Sequence, residues 1–180
     1  MSELAEATDA LLAARSADGD ATAFGVLVRR HLPFLRAFAT RLTGSAADAD
    51  DAVQEGLIAA WRGIDGLGDP ERVRSWLASI VSRKATDRIR ARKPTSELDE
   101  AAPDSAPGPE QHAVAGSRLD ALSTVLAALP DGQRQCWLLK EVEGLSYEEI
   151  AERLGTTPVV VRGRLARARA SVATGMEAWR

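Results

Sequence analysis

Apolar side chains recur along most of this chain at three- and four-residue intervals, the spacing of amphipathic helices, and no window alternates apolar and polar residues over a strand's length. The pattern predicts helices at about 5–16, 20–42, 46–64 and 70–92, broken at Gly19, at Thr43-Gly44-Ser45 and at Gly66-Leu67-Gly68-Asp69-Pro70. After an interruption it resumes at about 117–128, 131–143, 146–154 and 158–174, with breaks at Leu129-Pro130-Asp131, Gly144 and Gly155-Thr156-Thr157. No internal repeat stands out beyond the general likeness of one helix to another. The interruption, PTSELDEAAPDSAPGPEQHAVAGS, holds four of the eight prolines and no basic residue, and only Leu98 and Val114 are larger aliphatics. Such a stretch cannot bury a core. The expected fold class is therefore all-α: two small helical domains, 1–93 and 118–180, joined by a flexible acidic linker, 94–117. As a flexible coil that linker would span roughly 25 to 30 Å, and about 80 Å if fully extended.

Composition narrows the function classes. With 180 residues, 45 % hydrophobic and 27 % charged, the chain is neither fibrous nor wholly disordered. No apolar run approaches the roughly 18 to 20 residues of a membrane span. The start, Met-Ser-Glu-Leu-Ala-Glu, lacks the basic flank and apolar core of a signal peptide, so a cytoplasmic location without membrane insertion is expected. One cysteine, Cys136, and two histidines, His31 and His112, form neither an internal disulfide nor an ordinary Cys/His zinc site. No cofactor and no metal are expected. Cys136 is expected at or near a core-facing helix surface.

The net charge of −3 conceals a block pattern. Residues 1–71 carry 6 basic and 12 acidic side chains, 72–93 carry 8 and 1, 94–117 carry 0 and 5, 118–157 carry 4 and 7, and 158–180 carry 5 and 1. Two basic blocks in an otherwise acidic chain point to two separate polyanion-contacting surfaces.

The second basic block lies in a helix-turn-helix pattern. Ser146 and Glu149 have the spacing of a capping box, Gly155 can supply the left-handed turn that ends the first helix, and Thr157-Pro158 can cap and start the next. On that helix Val161, Leu165, Ala168 and Val172 share one side; Arg162, Gly163, Ala166, Arg167 and Ala170 share the other. Small residues allow close entry into a major groove, where Arg162 and Arg167 can reach guanine edges; Arg164 and Arg169 flank that face and suit phosphates. The bland reading is a solvated, arginine-rich surface helix, and the capped turn beside it favours DNA reading.

In the first block, Val73, Trp76, Leu77, Ile80, Val81 and Ile89 form a core-facing stripe, with the cations opposite. Trp76 is expected in the core. The glycines of the preceding loop, Asp65 to Glu71, leave room for an extruded base, and helix and loop together suit single-stranded DNA. Upstream, DADDAVQEGLIAAW puts Val53, Leu57, Ala60 and Ile64 on one side and Asp51, Gln54, Glu55, Ile58 and Arg62 on the other. Carboxylates of Asp48, Asp51 and Glu55 could hold a divalent metal for phosphodiester hydrolysis, the nuclease alternative. No histidine accompanies them, however, and acidic residues are favoured near a helix start by the helix dipole alone, so a protein-binding face is the better reading.

In this order and spacing, DADDAVQEGLIAAW, VRSWLASIVSRKATDRIRAR and LPDGQRQCWLLKEVEGLSYEEIAERLGTTPVVVRGRLARAR resemble the extracytoplasmic-function branch of the bacterial sigma-70 RNA polymerase sigma factors. The resemblance covers nearly all of the chain outside the linker. It implies a non-enzymatic factor whose partners are core RNA polymerase, through the β′ clamp helices and the β flap, promoter DNA and an anti-sigma protein. It implies polymerase contacts from Asp51, Gln54, Glu55 and Ile58. It implies −10 contacts from Gly66, Gly68, Asp69, Arg83, Lys84, Asp87, Arg88 and Arg90, and −35 contacts from Thr157, Arg162, Gly163, Arg164, Ala166, Arg167 and Arg169. The acidic linker would thread the polymerase's nucleic-acid channel. Two positions depart from the usual pattern. Arg83 stands where asparagine is common, which implies a phosphate contact. The recognition helix begins Pro158-Val159-Val160-Val161 in place of small or polar residues. A free-standing helix-turn-helix regulator of duplex operators is the main alternative, and it leaves the acidic helix and the first basic block without a role.

Overall fold

A computed structural model describes residues 3–92 and 118–177, so the 94–117 linker lies outside the described residues. Two compact units divide the chain, Met1–Arg88 and Ile89–Arg180. Every regular element among the described residues is helical, as expected.

The first unit contains α1 (Asp9–Ala17), α2 (Ala21–Thr43), α3 (Ala46–Gly63) and the start of α4 (Val73–Arg92). α1 begins at Asp9 and not near residue 5, a correction with a local cause. Thr8 Oγ1 accepts from the Leu11 N–H at 3.2 Å and caps the helix, while the Ala5 and Ala7 carbonyls accept from Arg30 Nη2 at 3.0 Å. Those carbonyls are tied to α2 by an arginine that also pairs with Asp9, so the backbone before Thr8 makes only a 3₁₀ turn, Glu3–Ala5. Asp20 caps α2 by accepting from the Thr22 and Ala23 N–H groups, and the hydrogen bond from Ala23 leads in holding its carboxyl below the ordinary carboxylate range. α2 continues through the exposed Pro33, which cannot donate to the carbonyl one turn back. It ends at Gly44, whose φ of +71° suits glycine, and Ser45 caps α3.

The first core joins Leu12 of α1, Leu27 and Leu35 of α2, Val53 of α3 and Leu77 and Val81 of α4. Trp76 packs against this cluster, as the stripe predicts. α3 and α4 meet closely at Gly56, where a Cβ would stand 2.8 Å from Val81 Cγ2 and 3.1 Å from its Cα. Between the helices, Ile64–Gly66 and Pro70–Arg72 form short 3₁₀ turns; the residues expected to open α4 at 70 belong to the second of these.

The second unit holds α5 (Arg118–Ala128), α6 (Asp131–Glu141), α7 (Tyr147–Leu154) and α8 (Pro158–Gly175). Leu139, Ile150, Leu154, Val161 and Leu165 are buried here, and Cys136 is buried with them. α6 stops at Glu141, two residues early, as the chain turns into the left-handed Gly144 at φ +74° and Lys140 Nζ donates to the Leu145 carbonyl at 2.8 Å. The capping box is complete: Ser146 Oγ accepts from the Glu149 N–H at 3.2 Å, and Glu149 accepts from the Ser146 N–H at 2.8 Å. That backbone hydrogen bond lowers the Glu149 pKa, so the box contributes at neutral pH and is lost as pH falls through the folded-state value. Ser146→Ala removes the acceptor and is expected to cost about 1 kcal/mol, read as an earlier denaturation midpoint. An unchanged midpoint would show the cap to be idle.

Candidate nucleic-acid and partner interface

The helix-turn-helix geometry follows from its caps. Gly155, at φ +62°, ends α7 in the left-handed region, and its N–H bonds to the Glu152 carbonyl at 3.3 Å. Thr157 Oγ1 then accepts from the Val160 N–H at 3.4 Å and Pro158 opens α8. Val161, Leu165 and Ala168 are buried, which turns Arg162, Ala166 and Arg167 out to solvent with Gly163 half-buried between them. A Cβ on Gly163 would meet nothing closer than the Arg167 guanidinium, at 3.7 Å, so the outward face is open at that residue. The Arg162 guanidinium sits 5.9 Å from the Tyr147 ring centroid, a cation–π contact that orients it toward α7.

The flanking cations are tethered to α6. Arg164 folds against its first turn, where a Cβ on Gly132 would lie 2.9 Å from the Arg164 Cζ. Arg169 donates through Nε at 3.1 Å and Nη2 at 2.8 Å to Glu141 Oε1 at the other end of the helix. Hydrogen bonds to Glu141, then to Tyr147, raise the Arg169 pKa further. Helix periodicity places both arginines on the rim of the face but gives no sign of these anchors; Gly132 in a helical first turn is the one signal available in the sequence. A guanidinium has five N–H donors, so each arginine keeps capacity for a phosphate beside its anchor.

In the first unit, α3 and α4 bring together two groups of candidates to which the sequence assigns different roles. Arg88 donates from Nη1 to Asp51 at 2.9 Å and from Nη2 to Glu55 at 2.5 Å, and Lys84 Nζ stands 3.9 Å from Glu55. Arg83, Asp87 and Arg90 are left exposed, while Arg74 lies 4.2 Å over the Phe34 ring. Gln54 and Ile58 are also exposed beside the paired carboxylates, Ile58 at 48 %. Asp50 is held by Arg36 at 2.7 Å. Two of the carboxylates that a nuclease would need, Asp51 and Glu55, are thus engaged with Arg88, and among the described residues no group of three His, Cys, Asp or Glu side chains is placed to hold a metal.

The loop between the two 3₁₀ turns is open. A Cβ on Gly66 or Gly68 would meet nothing within 4 Å, and neither glycine has a positive φ. The fold itself therefore does not require glycine at either position. Asp69, by contrast, is fixed by the fold, because its carboxylate accepts from the Glu71 N–H at 3.1 Å and caps the turn that leads into α4.

Two family models match this chain. Sigma-70 region 2 matches residues 27–95 and Sigma-70, region 4 matches residues 119–172. The RNA polymerase sigma factor CnrH of Cupriavidus metallidurans is 35 % identical over 96 % of this chain and 96 % of its own length. The ECF RNA polymerase sigma factor SigM of Mycobacterium tuberculosis is 35 % identical over 93 % of this chain and 84 % of its own. The solved structure of CnrH in complex with the cytosolic domain of CnrY covers 94 % of this chain and 97 % of the CnrH chain, with 33 % identity and a TM-score of 0.52. Among the described residues no helix is long and apolar enough to cross a membrane. With both sigma regions matched in order and relatives similar along almost their whole length, the chain belongs to the extracytoplasmic-function sigma factors of the sigma-70 family, the factors that direct RNA polymerase to promoters.

Proposed function

We propose that the chain binds core RNA polymerase through α3 and sets it on a −35/−10 promoter through α8 and α4, with the domains bounded at 1–93, 94–117 and 118–180. The observation that carries this reading is the ion-paired seam between α3 and α4. Asp51 and Glu55 are 57 % and 49 % exposed at their side chains and Arg88 is 30 % exposed. Pairs of this kind stabilise a fold by no more than about 1 kcal/mol. They are readily exchanged. Cations on the polymerase β′ clamp helices take over the carboxylates, with Gln54 and Ile58 completing the contact, and Lys84 and Arg88 turn to the −10 strand beside Arg83, Asp87 and Arg90. The open glycines of the 66–69 loop admit a flipped base, and Asp69 fixes the turn that presents it.

In the second unit Arg162 and Arg167 read base edges, Gly163 and Ala166 permit the close approach, and Thr157, Arg164 and Arg169 hold phosphates. The β flap is the polymerase element expected on this unit. Catalysis stays with the polymerase, the protein acts in the cytoplasm where the polymerase is, and the linker occupies the nucleic-acid channel. The likeness to CnrH, solved in complex with the cytosolic domain of CnrY, supports a protein partner of the anti-sigma kind.

Reconstituted transcription tests this reading: purified protein, sigma-free core polymerase and a pool of genomic fragments, with transcript starts sequenced. Discrete starts that share −35 and −10 elements and vanish without the protein are expected. Shifted duplex DNA without polymerase, and no starts with it, would instead mark a free-standing regulator. Arg167→Ala should leave core affinity unchanged and cost about 1 to 3 kcal/mol of discrimination at one −35 base pair. Loss of core affinity in that variant would overturn the assignment of α8.

A further inference from the structure

Val159 is 76 % exposed, more than any other large hydrophobic side chain among the described residues. It sits in the first turn of α8, between the capping Thr157 and the buried Val161. Three, four, seven and eight residues later come Arg162, Gly163, Ala166 and Arg167, so Val159 is the N-terminal member of the face already assigned to base reading. Nothing in the folding of the second unit calls for it. Its side chain adds little to the core, valine is a poor helix former, and an exposed branched side chain gains nothing from water. The same branching makes it rigid: in a helix valine keeps essentially one χ1 rotamer, so its methyl groups stand at fixed positions relative to the backbone.

The major groove presents only one apolar group to such a side chain. Thymine carries a C5-methyl, and the other bases display hydrogen-bonding atoms that a valine cannot satisfy. Recognition helices contact bases mainly through their N-terminal residues, which is where Val159 lies. We propose that Val159 reads a thymine methyl in the −35 element, and so selects thymine one contact upstream along α8 from the bases read by Arg162 and Arg167. This rests on the proposed −35 role of α8 and adds a specificity that hydrogen bonding from arginine cannot supply, because uracil and thymine offer the same hydrogen-bonding edge.

The test replaces thymine with uracil, one position at a time on both strands, in a −35 element mapped by the transcription experiment. Affinity of the holoenzyme for each duplex is measured by competition. At one position the wild-type holoenzyme should bind the thymine duplex about fourfold tighter than the uracil duplex, the value of one buried methyl group. Val159→Ala should bring that ratio to about one at the same position, while Arg167→Ala should leave it unchanged. Alanine favours the helix, so the variant keeps α8 folded, and core affinity gives an independent check. If no uracil substitution weakens the wild type, or if the ratio persists in Val159→Ala because the methyl acts through DNA shape, the proposal is overturned. Weaker binding by Val159→Ala with an unchanged ratio would also overturn it, placing Val159 against protein. Failure to find any promoter would instead count against the proposed −35 role of α8 on which the test depends.

Discussion

Gly56→Val is expected to unfold or loosen the first unit at temperatures the wild type tolerates, with a loss of stability of about 3 kcal/mol or more. Even the Cβ of alanine would stand 2.8 Å from Val81 Cγ2 and 3.1 Å from the Val81 Cα. Val81 is fully buried and branched in a helix, so it has neither space nor a second rotamer to retreat into. Overpacking of this kind costs about 1 to 3 kcal/mol for one extra group, and valine adds two more methyls. Gly56→Ala sets the two effects against each other. Helix propensity favours alanine by about 1 kcal/mol, and the clash outweighs it. Gly25 in α2 provides the control: a Cβ there makes only an ordinary 3.6 Å contact with Arg29, so Gly25→Ala should raise stability by about 0.5 to 1 kcal/mol. Thermal midpoints should therefore move in opposite directions, by roughly 4 to 8 °C per kcal/mol. A raised midpoint in Gly56→Ala would mean that α3 and α4 do not meet at that residue.

The same contact marks where sequence reading stops. Helix periodicity, caps and glycine breaks are local, and they locate the eight α-helices of the described residues to within a few residues; the Ser146 and Glu149 box and the Thr157-Pro158 start are readable as they stand in the fold. The start of α1 is only half readable: the Thr8 cap is local, but the Ala5 and Ala7 carbonyls are taken up by Arg30, a residue on another helix. Gly56 looks like a small residue on an acidic helix, and only the neighbouring Val81 explains it. The faces of α3, α4 and α8 follow from 100° per residue. What each long side chain on those faces touches does not. An arginine samples many rotamers, and the partner it selects depends on which helix lies within reach. Hence Arg88 is readable as a cation on the outer face of its helix, whereas its two bonds to α3 are not.

That pairing leads to an asymmetry between two substitutions that break the same ion pair. Glu55→Ala should weaken core polymerase binding by about 2 kcal/mol or more, roughly 30-fold, and Asp51→Ala combined with it should weaken binding further, since each removes an acceptor that an interface cation would use. Arg88→Ala removes the same internal pair from the other side. It leaves both carboxylates present and without their main internal competitor, Lys84 alone remaining within reach of Glu55, so core affinity should be retained or rise a few-fold, while opening of the −10 region is impaired because the strand loses a phosphate contact. Stability should change by no more than about 1 kcal/mol in either variant, as both carboxylates are about half exposed to water. Core affinity measured for both variants at two salt concentrations separates the possibilities. A purely structural pair would make both variants lose core affinity alike, and that result would rule out an exchange of partners at α3. Opposite effects, with a flatter salt dependence for Glu55→Ala, would mean that the seam is released when polymerase binds, and that the cations facing DNA are supplied by the same event that recruits the enzyme.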